Sequence, residues 1–140
     1  MIYPITPDNY SRFADLLYWR AQGTEGTAPD EPVPAELSDP NLYVYAAEAE
    51  GRFVGWISLC YIPKVSRWKK GHVYVDELWV APEYRRRGIG RALMSTADKL
   101  KETLEATGIR LYVNHNNPEA LSLYRSCGYT ETGSAYFMEK

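Results

Sequence analysis

The chain has 140 residues and a mass of 16.0 kDa, within the roughly 100–200 residues of one domain. Its 45% hydrophobic and 24% charged residues exclude a disordered chain, and a formal charge of −2 gives no net pull toward nucleic acid or anionic lipid. Two cysteines (Cys60, Cys127) build no disulfide framework, and His72 and His115 have no metal-ligand spacing.

No apolar run approaches the ~20 residues of a membrane span, and Met1 to Pro4 lacks the basic start of a signal peptide. The expectation is one soluble, cytoplasmic domain with no metal, no nucleic-acid partner and no membrane contact.

Ile2 to Ile5 reads as a first strand. Thr6-Pro7 then reads as a helix start, threonine capping and proline at the first helical position. Tyr10, Phe13, Ala14, Leu16, Leu17 and Tyr18 recur at helical spacing up to Arg20. Gly23, Gly26, Pro29, Pro32 and Pro34 predict a long loop, with one helical turn around Ala35 to Leu37. Long loops in compact domains are often functional. From Ala21 to Gly51 there is no Lys, Arg or His, while Glu25, Asp30, Glu31, Glu36, Asp39, Glu48 and Glu50 are acidic.

Leu42 to Ala49 and Arg52 to Ile62 flank Glu50-Gly51 as a hairpin. Pro63 to Gly71 is a basic loop with Lys64, Arg67, Lys69 and Lys70, and His72 to Val80 a third long strand. Gly90 to Thr107 reads as an amphipathic helix stopped by Gly108, then a strand over Ile109 to Val113. Pro118 to Ser126 is a proline-opened helix, and two short strands follow from Gly128, ending in Tyr136-Phe137-Met138. Two β-to-α-to-β passages between terminal hairpins imply an α/β domain: a mixed, mostly antiparallel sheet flanked by helices.

The stretch from Val73 to Leu93 is the most informative. A strand runs into a turn holding Arg85, Arg86, Arg87, Gly88 and Gly90, and a helix begins at once. Glycines let backbone approach a ligand, a helix start offers free N–H groups and a positive dipole end, and guanidinium groups suit phosphate. The local physics points to a diphosphate or polyphosphate. A Walker A loop is absent, and a dinucleotide fingerprint wants Gly or Ala where Leu93 stands.

Arg85-x-x-Gly88-x-Gly90, after Leu78-x-Val80-x-Pro82, resembles the Gln/Arg-x-x-Gly-x-Gly/Ala motif of the GNAT (Gcn5-related) N-acetyltransferases. Val113-x-x-x-Asn117-x-x-Ala120-x-x-x-Tyr124-x-x-x-Gly128-Tyr129 resembles that family's second conserved segment. The resemblance covers nearly the whole chain and implies the family's fold and an acyltransferase activity. It implies acetyl-CoA, with the thioester and pantetheine arm on the strand of Leu78, Trp79 and Val80. The diphosphate then falls on the amides of Arg86, Arg87, Gly88, Ile89, Gly90 and Arg91, beside Arg85. Asn117 would touch the pantetheine arm, and Tyr124 would donate a proton or a hydrogen bond to the departing thiolate.

For the acceptor amine, the family implies a carboxylate near Asp76 as base. Alternation places Tyr74, Asp76 and Leu78 on one face and Val75, Glu77 and Trp79 on the other. Glu77 is the alternative base, because a bulge would exchange their faces. The acidic segment from Glu25 to Asp39 is expected to border the acceptor pocket and favour a cationic amine. A homodimer is a common outcome in that family.

Other readings stand beside this one. Tyr124 at helical spacing also suits a core, Asn117 before Pro118 also suits a helix cap, and Cys127 suits packing. Arg85 to Arg91 with Lys64 to Lys70 would serve a nucleic-acid-binding protein, which the acidic balance opposes. A non-catalytic acyl-CoA-binding module on the same fold is the nearer alternative, and O-acetyl transfer or a longer acyl group stays open.

Overall fold

In the computed structural model, which describes residues 1–68 and 70–140, five strands form one sheet in the order β1-β2-β3-β4-β5. They are β1 (Ile2–Pro4), β2 (Leu42–Ala49), β3 (Arg52–Ile62), β4 (His72–Val80) and β5 (Ile109–Leu111). The first four pair antiparallel, and β5 joins β4 in parallel. Three helices accompany them: α1 (Tyr10–Gln22), α2 (Ile89–Leu104) and α3 (Pro118–Ser126). This is the predicted mixed, mostly antiparallel α/β architecture. Lys69 of the basic loop lies outside the described residues.

Each face of the sheet has its own core. On one, Phe13, Leu16 and Trp19 of α1 pack against Val54 and Trp56 of β3, with Trp79 beside them. On the other, Leu93, Met94 and Ala97 of α2 cover Ile57, Leu59, Val73 and Val75. Alternating side chains along the strands feed both layers. The β2–β3 turn puts Glu50 at φ 53° and Gly51 at φ 80°, matching the right-handed twist of the flanking strands.

Several boundaries differ from the sequence reading. The helix α1 begins at Tyr10, not at Thr6-Pro7, because Asn9 turns its side chain back. Its Oδ1 accepts from the Thr6 amide at 2.8 Å and its Nδ2 donates to the Pro4 carbonyl at 3.0 Å, holding residues 6–9 as a turn. The helix α2 stops at Leu104, short of Gly108, because Glu105 takes a left-handed conformation (φ 52°) and its amide closes on Glu102 and Lys101. The strand β5 stops at Leu111 rather than Val113.

No strand follows Gly128. Residues 130–135 offer no side chain larger and more apolar than threonine or alanine for a hairpin to bury, and Tyr136, Phe137 and Met138 are 85–96% exposed. His72 opens β4 as expected, buried and opposite Ile62.

The largest departure is inside β4. Ser58 pairs with Glu77, but Leu59 pairs with Val75, so Asp76 is an extra residue in that strand. This bulge resets the alternation. Val73 and Val75 share the α2 face with Leu78, while Trp79 packs in the α1 layer. The predicted grouping of Asp76 with Leu78 and of Val75 with Glu77 is therefore corrected.

Candidate functional site

β4 is the structural axis of the site. Among the described residues only Val73, Tyr74 and Val75 pair with β5, so residues 76–80 have β3 on one edge and no described strand on the other. An unpaired strand edge presents backbone N–H and C=O groups to any extended, amide-bearing ligand. β4 ends at Val80; a tight turn over Pro82–Tyr84 follows, and then the arginine-glycine turn.

That turn holds Arg86 at φ 61° and Gly88 at φ 81°, two left-handed residues with one residue between them. Gly88 caps α2 without a side-chain acceptor, and no acidic residue stands in the first helical turn. The first amides of a 16-residue helix thus lack intrahelical partners and keep the positive end of its dipole. The combination suits a diphosphate. Gly90 faces α3, where an added Cβ would stand 3.1 Å from Leu123 Cδ2.

The four arginines divide by what they touch. Arg85 Nε donates to the Val80 carbonyl at 2.8 Å and ties the turn to the end of β4. Arg91 donates to the Ser126 carbonyl at 3.1 Å and hydroxyl at 2.8 Å, fastening α2 to α3. Arg87 lies over the Tyr84 ring at 4.8 Å. Arg86 reaches Glu119 at 3.7 Å in an exposed pair, worth little. Arg85 and Arg91 are thus engaged within the fold.

Tyr124 is half-buried on the α2 face, in the same apolar cluster as Leu78, Val80 and Ile89. Burial, and then Cys127, push its hydroxyl above the ordinary tyrosine value. Asn117 caps α3, its Oδ1 accepting from the Ala120 amide at 3.2 Å. The Trp79 ring belongs to the α1 layer, 5.5 Å from Trp56 and 6.3 Å from Trp19, which leaves its backbone as the part available at the open edge.

Glu77 is held by Arg20 of α1 at 3.0 Å, and the same guanidinium lies over Trp56. Asp76 is exposed at the bulge and makes no ion pair among the described residues. Burial, and then the charges of Asp39 and Asp76, push the nearby Cys60 thiol up, so it stays protonated.

Several acidic residues of the long loop are already engaged. Glu25 pairs with Arg52, Glu31 accepts from the Tyr10 hydroxyl, and Asp39 accepts from the Asn41 amide. Between this loop, α1 and the β2–β3 turn lies a cavity of about 490 Å³, lined by Trp19, Glu25, Arg52 and Phe53 among others. Sequence reading missed Arg20 as the partner of Glu77 and Tyr84 as the anchor beneath Arg87. Neither contact has a local signal, since 57 residues separate the first pair.

These features define an α/β domain in which an open strand edge leads into a helix start suited to an anion. The description "Acetyltransferase (GNAT) family" matches residues 11–129, and the chain belongs to that family. It is 31% identical over 105 residues to the uncharacterized N-acetyltransferase YhfO of Bacillus subtilis, across 74% of this chain and 69% of that one. It is 35% identical over 105 residues to an N-alpha-acetyltransferase of Sulfurisphaera tokodaii, across 68% and 60%. With the N-alpha-acetyltransferase RimI of Mycobacterium tuberculosis it shares 31% over 109 residues, across 74% and 65%. The chain therefore spans less than two thirds of the length of the latter two. Among solved structures, the aminoglycoside N-acetyltransferase AAC(6')-Iy in complex with CoA matches with a TM-score of 0.79 at 16% identity, covering 100% of this chain and 98% of that one. That likeness is one of fold.

Proposed function

We propose that the chain, as one acetyltransferase domain, binds acetyl-CoA along the open edge of β4 and transfers the acetyl group to a primary amine by direct attack. The observation that carries this reading is the junction itself: an unpaired strand edge leading into an acceptor-free, left-handed helix cap. The pantetheine arm, with its two amides, pairs with the backbone of Leu78, Trp79 and Val80, with Asn117 beside it. The diphosphate takes the amides from Arg86 to Arg91, and Arg86 and Arg87 add charge. No metal takes part in this reading, and the site serves no nucleic acid or membrane.

A strand N–H aimed at the thioester oxygen stabilises the charge that develops as the amine attacks. At pH 7 only about one alkylamine in a few thousand is unprotonated, so a base contributes. Asp76 is assigned that role through water, because Glu77 is occupied by Arg20. Asp76→Asn is expected to remove the acidic limb of the pH–rate profile, whereas Glu77→Gln is expected to keep it. The opposite pattern assigns the base to Glu77, and an unchanged limb in both rejects both. Asp30 and Glu36, the loop carboxylates with neither an ion pair nor a side-chain hydrogen bond among the described residues, favour a cationic amine. Direct transfer fits a chain whose Cys60 thiol is held protonated.

The test is the thermal midpoint against rising acetyl-CoA, with ATP and NAD as controls. Ligand at 100 times Kd stabilises by about 2.7 kcal/mol, roughly 5–10 °C for this size. A saturating rise with acetyl-CoA alone supports the reading and opens a screen of amines by thiol release. A flat response rejects it, and binding without thiol release from any amine returns the chain to an acyl-CoA-binding module.

A further inference from the structure

Tyr84 is 4% exposed and ends the short turn that leads directly into Arg85. Its ring stands edge-on to Trp19 at 6.4 Å, and Arg87 covers it at 4.8 Å. Its hydroxyl donates to Glu50 Oε2 at 2.5 Å and accepts from Arg52 Nη2 at 2.8 Å. Glu50 and Arg52 flank the β2–β3 turn, so two segments 34 residues apart meet at one buried phenol. Glu50 holds a left-handed conformation, unusual for a residue with a side chain, and in it meets Tyr84. Arg52 in turn pairs with Glu25 at the start of the acidic loop.

The arginine-glycine turn has few other ties on this side. Arg85 is held through its amide to Pro82 and through its side chain to Val80. Arg86 and Gly88 lie in the left-handed region, where small displacements of the entering chain re-aim the amides that follow. Whatever fixes the chain entering at Tyr84 therefore fixes where those amides point.

We propose that Tyr84, clamped by Glu50 and Arg52, is a positioning residue that aims the diphosphate-binding turn. The assignment rests on the acetyl-CoA reading above and concerns one part of the cofactor, since the clamp touches the turn and not the open edge of β4. Its removal therefore weakens the hold on diphosphate and spares the hold on the thioester arm.

The experiment compares two donors: acetyl-CoA, and S-acetylpantetheine, which carries the same thioester arm without a diphosphate. Kd for each is measured by thermal-midpoint titration on wild type, Tyr84→Phe, Glu50→Ala and Glu50→Gln. Tyr84→Phe and Glu50→Ala are expected to weaken acetyl-CoA about fivefold, the worth of one hydrogen bond, with S-acetylpantetheine unchanged. Glu50→Gln, which keeps an acceptor, is expected to stay near wild type. Equal losses for both donors mean general damage to the fold and overturn the proposal, as does no loss for acetyl-CoA. Wild type that binds no acetyl-CoA removes the functional reading itself and is seen before any variant is made.

Discussion

Gly90→Glu is expected to raise Kd for acetyl-CoA by roughly 10²- to 10³-fold, the largest effect of any single change in the site. Two unit charges about 4 Å apart interact by roughly 4 kcal/mol at the effective dielectric of a protein surface, and a diphosphate carries more than one charge. A carboxylate in the first turn of α2 also competes for the same amides. The helix itself gains, because a negative charge at its N-terminus complements the dipole, and the close neighbour of the new Cβ is the flexible end of Leu123. The variant should therefore stay folded while losing its ligand. Gly90→Ala separates bulk from charge and should bind acetyl-CoA within a few-fold of wild type. Isothermal titration on the three proteins is the check, and an unchanged Kd in Gly90→Glu removes the diphosphate from this helix.

Tyr124→Phe is expected to lower kcat about 10- to 100-fold while Kd for acetyl-CoA changes no more than about threefold. The magnitude follows from chemistry. Burial and Cys127 hold the Tyr124 hydroxyl above its ordinary value, so it is protonated throughout the physiological range and poorly disposed to give its proton away. A thiol has a pKa near 8.5, so complete transfer from this phenol to the leaving thiolate runs uphill. A hydrogen bond to the developing charge remains, worth roughly 1.5–3 kcal/mol when its acceptor is ionised. The sign fixes the pH behaviour as well. The protonated form is the active one and its pKa is raised, so rates should hold through pH 9 without an alkaline limb from this residue. Steady-state kinetics by thiol release decide it. Equal turnover returns Tyr124 to the apolar cluster it shares with Leu78 and Val80.

The two residues sit on elements that a reader of the sequence could place. Pro118 opens α3 and Asn117 caps it, a local device that set the start of the helix at the predicted residue. β2, β3 and β4 also run over the predicted spans, because alternating large side chains and a Glu-Gly turn are short-range signals. The C-terminal residues show the opposite case. Tyr136, Phe137 and Met138 have the composition of a strand, yet composition does not supply a partner, and they remain exposed.

The sequence by itself therefore determined the class of fold, the arginine-glycine turn before a helix, and through its motifs the family to which the chain belongs. Those features depend on spacing within some twenty residues, which a linear reading resolves. Tertiary structure alone decided which side of the sheet each carboxylate of β4 faces, because one extra residue at Asp76 reverses the alternation and only the pairing with Ser58 and Leu59 reveals it. It also decided which charges are available. Arg20 reaches Glu77, Arg52 reaches Glu25, and Tyr84 meets Glu50 across gaps of tens of residues. Such contacts are set by how helices and turns pack on the sheet, and no local pattern encodes them.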